Sequence, residues 1–216
     1  MMQDLDISKI KKTLSIERFE SYRRTTDQLD EQVLACYLRN IQLSEALYPT
    51  FAILEVTLRN QLHHALCQKM QTQSWYEHHP DVLSPTEQAE IQKAKDYLCQ
   101  HGKPIESGRI IAELNFGFWT RLFHPYYEKK LWPSLILDVF PYAPRWSRER
   151  KKLLKRLNSF RLLRNRVSHH EPIWDWPNLP TIHQDMIETV GWMCPSTKQA
   201  LAFIDRFSVV FESPKK

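Results

Sequence analysis

Glycine is nearly absent from this chain, with 4 in 216 residues where ~7% is usual. Tight hairpins need backbone positions at positive φ, which glycine supplies at least cost, so a hairpin-rich β fold is disfavoured. The apolar residues point the same way, recurring every three to four positions between prolines. This periodicity predicts a short helix over 16–23 and a longer one capped by Thr26 and Asp27, running through Leu29, Val33, Tyr37, Ile41 and Leu47. Pro49 then suits the first turn of a separate helix carrying Phe51, Leu54, Leu58, Leu62, Ala65 and Leu66 to about Met70. Ser84-Pro85-Thr86-Glu87 opens another helix, which His101-Gly102-Lys103-Pro104 ends. Helical patterns follow over 109–123 and 126–132. Ser147 caps a long basic helix to about His169, and two more helices over 182–193 and 196–211 close the chain. The expectation is an all-α single domain over 1–216, with residues 1–15 a flexible lead.

An apolar fraction of 42%, with 7 Trp, 8 Tyr and 10 Phe, is enough for a packed core and excludes a disordered chain. The net charge of +5 and pI near 9.0 are a mild excess that suits an anionic partner. Cys36, Cys67, Cys99 and Cys194 lie far apart with no Cys-x-x-Cys pair, and read as reduced, buried small hydrophobes. The start lacks the apolar core of a signal peptide and no run approaches a membrane span, so a cytoplasmic protein with no membrane partner is expected. There is no phosphate-binding glycine loop, no His-Glu-x-x-His pattern and no nucleophile elbow. Neither metal nor cofactor is called for.

The chemistry concentrates in Arg164-Asn165-Arg166-Val167-Ser168-His169-His170-Glu171-Pro172-Ile173, at the end of the basic helix. A guanidinium can hold phosphate oxygens bidentately, and an imidazole titrating near neutrality can move a proton at a ribose hydroxyl or a leaving oxygen. Asn165 and His169 lie one turn apart, whereas Arg164 and His169 diverge by roughly 140° on a regular helix. Either the helix loosens before Pro172, or a second copy of the chain completes the site. His170 is the alternative proton carrier, and Glu171 could orient an imidazole or be a surface charge.

On a helical wheel, Leu153, Leu157, Phe160 and Val167 fall within about 40° of one direction, and Arg164 falls among them. An arginine on a core stripe needs a carboxylate, a wet cleft or an interface. Glu55 and Glu113 are the candidate partners, and an ion pair serving structure alone is the competing reading. The rest of the helix carries Arg148, Arg150, Lys151, Lys152, Lys155, Arg156, Arg161 and Arg166 against Glu149. Such a run is usually a solvated face. Beside a phosphate-handling motif it also draws nucleic acid, with Arg156, Arg161 and Arg166 the candidate RNA contacts.

The block from Arg161 to Ile173 resembles the corresponding block of Abi-like proteins in the HEPN superfamily, whose signature is Arg-x4-His. Three further blocks resemble the same family: Leu47-Tyr48-Pro49 with Leu54 through Asn60, Glu113 through Trp119, and Ile187 through Met193. The resemblance implies a HEPN-like multi-helix bundle with additional helices, usually homodimeric, and a metal-independent endoribonuclease of abortive phage infection or toxin systems. An antitoxin or regulatory protein is then a further partner. Catalytic roles fall to Arg164, Asn165 and His169, with His170, Glu171 and Glu55 in support. A non-catalytic RNA-binding or partner-binding module on the same scaffold is the alternative.

The six-residue signature is unspecific on its own, since Arg59-Asn60-Gln61-Leu62-His63-His64 repeats it. That copy sits inside an apolar helix with no terminating proline, so it reads as structural, with Glu55 and Arg59 spaced to pair. Trp119 reads as core rather than as a base-stacking surface. Trp174 and Trp176 read as a lid, a stacking wall, or a loop pinned by its own indoles.

Overall fold

A computed structural model of the protein describes residues 5–132, 134–176 and 178–213. Every regular element among them is helical. The α-helices are α1 (Ile7–Thr13), α2 (Ile16–Glu20), α3 (Asp30–Met70), α4 (Trp75–His78), α5 (Pro85–Gln100), α6 (Ser107–Glu113), α7 (Phe116–Arg121), α8 (Ile136–Val139), α9 (Arg150–Ser168), α10 (Leu179–Met193), α11 (Pro195–Ala202) and α12 (Phe207–Glu212).

α3 is the spine, and α7, α8, α10, α11 and α12 pack along it. It is one helix of 41 residues where two were expected, and Pro49 lies inside it. A proline there forfeits a hydrogen bond to the carbonyl four residues back, at a cost of ~3 kcal/mol or more. That carbonyl belongs to Glu45, an exposed residue where water can replace the lost donor. The buried positions Leu43, Ala46, Leu47, Thr50, Phe51, Leu54 and Leu58 run past the proline without a change of face, and this packing carries the helix through. The N-cap is Leu29 rather than Thr26 or Asp27, with the Gln32 side chain accepting from Leu29 N at 3.0 Å. Its first half also rotates relative to the expected stripe, because Asn40 is buried and Ile41 is exposed.

Residues 7–13, expected in the flexible lead, form α1. With α2 it packs on the first turns of α3 around Phe19, Tyr22, Val33 and Leu34. Residues 1–4 lie outside the described residues. The pattern over 109–123 is cut in two, because Asn115 caps α7 by accepting from Phe118 N at 3.0 Å. Over 126–132 there is a 3-10 turn at Pro125–Tyr127 followed by irregular turns, with Tyr127, Leu131 and Trp132 buried. Gly102 ends the turn after α5 at φ +61°, as its place in the sequence suggested. Of the cysteines only Cys67 is buried, while Cys36 and Cys194 are half-buried and Cys99 is exposed. None is in a disulfide. No helix among the described residues is long and apolar enough to cross a membrane.

Candidate functional site

α9 is held to the rest of the molecule by its own basic residues. Arg150 is buried and donates to Phe123 O at 2.7 Å, with Glu128 at 3.3 Å. Arg156 donates to Thr189 Oγ1 and Glu188 Oε2, both at 2.8 Å, pairs with Asp185 at 3.1 Å, and lies over the Trp192 ring at 4.3 Å. These contacts satisfy a guanidinium that the expected RNA-binding role would need free, so Arg156 is a structural clamp between α9 and α10. Leu153, Leu157, Phe160 and Leu163 fill the core beneath.

Where that apolar stripe would continue, Arg164 turns to α3. Its Nε donates to Glu55 Oε1 at 3.0 Å, with the two side chains 38% and 26% exposed. Glu113, the other candidate partner, is an exposed residue. Exposure this large limits the pair to about 1 kcal/mol or less. Geometry is its main consequence. Glu55 takes one edge of the guanidinium, and neither terminal nitrogen is hydrogen-bonded among the described residues. Those two nitrogens form the fork that matches phosphate oxygens.

The helix then ends in a Schellman turn. His169 is the cap, His170 N donates to Val167 O at 3.1 Å, and Glu171 N donates to Arg166 O at 2.8 Å. His170 occupies the position usually held by glycine, at φ +55°. A side chain there costs about 1–2 kcal/mol, of which a glycine substitution recovers part against its looser unfolded state. His170→Gly should therefore raise stability by about 0.5–1 kcal/mol in urea denaturation. A loss would show that the His170 ring holds the turn.

The exit from this turn is clamped by residues the sequence reading missed. Arg18 donates to His170 O at 2.8 Å and Tyr22 Oη to the same oxygen at 3.2 Å. Buried Asn40 accepts from Ile173 N at 2.7 Å and Trp174 N at 3.2 Å, and donates to Tyr22 Oη at 3.0 Å and Glu171 O at 3.3 Å. The available signal was an asparagine among core residues, since a buried amide must find partners. These bonds engage the backbone of the turn, leaving the His169 and His170 rings exposed. Trp174 lies under Arg24 at 4.0 Å and Trp176 under Arg166 at 5.1 Å, which is the pinned-loop arrangement.

Arg164, Asn165 and His169 are thus close along the chain but joined by no side-chain hydrogen bond among the described residues. Asn165 is half-buried, and its carbonyl accepts from His169 N at 2.9 Å. Glu171 faces Arg166 at 3.4 Å rather than an imidazole. Of the three arginines expected to meet RNA, Arg161 alone has no ion pair among the described residues.

In the earlier copy of the signature Arg59 is half-buried and its histidine, His64, is exposed, while the neighbouring His63 packs into the core. His63 is buried and accepts from Trp75 Nε1 at 3.1 Å, and burial lowers its pKa. Arg59 bonds Asn60, not Glu55, whose carboxylate is taken by Arg164. A second decoy joins Thr50, His183 and Asp205, with distances of 3.2 and 3.1 Å. Both contacts fall on the same ring nitrogen, Nε2, so no proton relay runs through the ring, and Thr50 and His183 are buried. Trp119 is buried and presents no face to a base.

The described residues thus form an all-helical chain with Arg164 and two exposed histidines near one helix end. The family model of Abi-like proteins matches residues 7–175, from the start of α1 through the loop after α9, and the chain belongs to that family. No curated protein and no solved structure gave a match.

Proposed function

We propose that this protein is a metal-independent endoribonuclease of the HEPN type, acting as a homodimer in abortive infection or a toxin-like system. The observation that carries the reading is the Arg164 guanidinium, held by Glu55 at one edge with its terminal nitrogens open to a phosphate. Arg164 stabilises the charge that develops on the scissile phosphate. His169 takes the proton of the ribose 2′-hydroxyl or supplies one to the leaving 5′ oxygen, and Asn165 positions the phosphate or the imidazole. The 2′ oxygen bonds to phosphorus, the bond to the 5′ oxygen breaks, and the ends are a 2′,3′-cyclic phosphate and a 5′-hydroxyl. Arg164 supplies the cationic charge that a metal ion gives other nucleases. Arg161 and Lys155 add sequence-independent attraction for RNA on the same helix.

Single-stranded RNA incubated with the purified protein in excess EDTA should be cut to cyclic-phosphate ends. Cleavage that EDTA abolishes and Mg²⁺ restores would overturn the proposed chemistry. The alternative reading, a module that binds RNA or a regulatory partner without cutting, draws on the absence of a side-chain bond linking Arg164 to His169. RNA binding with no cleavage by the wild type would favour it.

A further inference from the structure

At the other end of α9 lies a cleft of about 250 Å³ lined by Trp146, Lys152, Lys155, Ser159, Asp185 and Trp192 among others. Trp146, in a 3-10 turn at Arg145–Ser147, is 60% exposed and stands edge-on to Trp192 at 5.7 Å and 83°. Lys152 donates to the Trp146 backbone carbonyl at 2.8 Å, which anchors the turn that carries the indole. Lys155 is exposed and has no ion pair among the described residues. Asp185 gives Oδ1 to Arg156 at 3.1 Å, and its second oxygen has no partner among the described residues. Burial holds that carboxyl above its usual pKa range. An aromatic face, a cation with no ion pair among the described residues and a carboxylate acceptor around one cleft fit the base face, the phosphate and a base amino group of a nucleotide.

We infer that this cleft is a nucleotide subsite: the base lies against Trp146, its phosphate meets Lys155, and a base amino group donates to Asp185. The inference rests on the nuclease reading for its source of ligand, a strand of RNA. Stepping 100° per residue from Lys155, Ser159, Leu162 and Arg166 fall within about 40° of one direction, and the next step along that face reaches His169. The cleft's Lys155 and His169 therefore share one side of α9, about 21 Å apart along it, whereas Arg164 points from the opposite side toward α3. A strand anchored by one base in the cleft would lie along this face to the histidine. Leu162, 54% exposed in the middle of the track, offers apolar surface to an intervening base or ribose.

The test is binding, read apart from cleavage. An uncleavable single-stranded deoxyoligonucleotide is titrated into wild type, Trp146→Ala, Lys155→Ala and, as a charge control, Lys93→Ala, an exposed position on α5. Trp146→Ala and Lys155→Ala should each weaken binding about tenfold with the melting temperature unchanged, and Lys93→Ala should not. A guanosine monophosphate titration separates the sources. Competition with the oligonucleotide supports a strand subsite, whereas mononucleotide binding alone supports the cleft with a free nucleotide as occupant. Wild-type affinity for both ligands in both cleft variants would overturn the inference even if RNA is cut. Conversely, binding that depends on Trp146 and Lys155 in a protein that cuts no RNA would leave the cleft standing and remove the nuclease reading.

Discussion

Glu87→Ala is expected to destabilise the protein by about 3–5 kcal/mol, the largest effect of any single carboxylate, as seen by urea denaturation at neutral pH. Glu87 is 2% exposed and sits at the third position of α5. It accepts from Ser84 Oγ, from Tyr127 Oη and from Arg121 Nε, the last at 2.7 Å. Arg121 also reaches Glu90, and Tyr127 Oη accepts from Ser84 N at 3.1 Å. Removing the carboxylate strips partners from three polar groups at once and leaves a partly buried guanidinium short of charge. The pH dependence has a definite sign. Burial pushes the Glu87 carboxyl up, but the hydrogen bonds from Ser84, Tyr127 and Arg121 outweigh it, so the folded pKa lies below the ordinary value. A depressed carboxylate contributes stability above its unfolded pKa of about 4.3, and the contribution is lost as pH falls through the lower folded value. The gap between wild type and Glu87→Gln should therefore be full at pH 7 and shrink as the pH falls below about 4. A gap independent of pH, or an alanine variant within about 1 kcal/mol of wild type, would show that the cluster is not a structural clamp.

Ser84-Pro85-Thr86-Glu87 announced this helix start in the sequence, but not the two distant residues that make Glu87 matter. That division recurs throughout the chain. Helices whose period and stop signals are local, such as α5 with its Gly102 turn and α9 with its stripe of Leu153, Leu157 and Phe160, were legible within a few residues. Pro49 misled because its local penalty is outweighed by a buried face that continues through it, which is a tertiary effect. Asn115 misled in the opposite sense: a cap inside an apolar pattern cuts one helix into two. At the candidate site, the odd position of Arg164 on a core stripe was visible, and Glu55 was named beside Glu113 as a possible partner. The clamp of Arg18, Tyr22 and Asn40 was not, since it connects backbone carbonyls and amides more than 130 residues away. Charge was the least reliable guide. Arg150 and Arg156 belong to a basic run that looks like one solvated face, yet both are spent inside the fold on Glu128, Asp185 and Glu188.

Arg164→Ala and His169→Ala should each lower RNA cleavage by about 10²-fold or more, the range for losing an electrostatic stabiliser or a general acid–base group. Neither should shift the melting temperature appreciably. The Arg164–Glu55 pair is partly exposed and worth about 1 kcal/mol at most, and the His169 ring is exposed. Mixing the two inactive proteins tests whether the site is shared. Arg164 is drawn toward α3 by Glu55, while His169 caps the helix well over a turn further on, and no side-chain bond joins them among the described residues. If each site takes its arginine from one chain and its histidine from the other, a mixed dimer has one site with both residues intact and one with neither. Half of the dimers in an equal, fully exchanged mixture are mixed, so about one quarter of wild-type activity should return. A site built within one chain would recover none, because no chain in the mixture carries both residues. Full wild-type activity at a concentration where the protein sediments as a monomer would likewise rule out the shared site. In that case the flexible Arg164 side chain would have to leave Glu55 and swing toward the helix end, and Glu55→Gln, which loosens its tether, should then raise the rate rather than lower it.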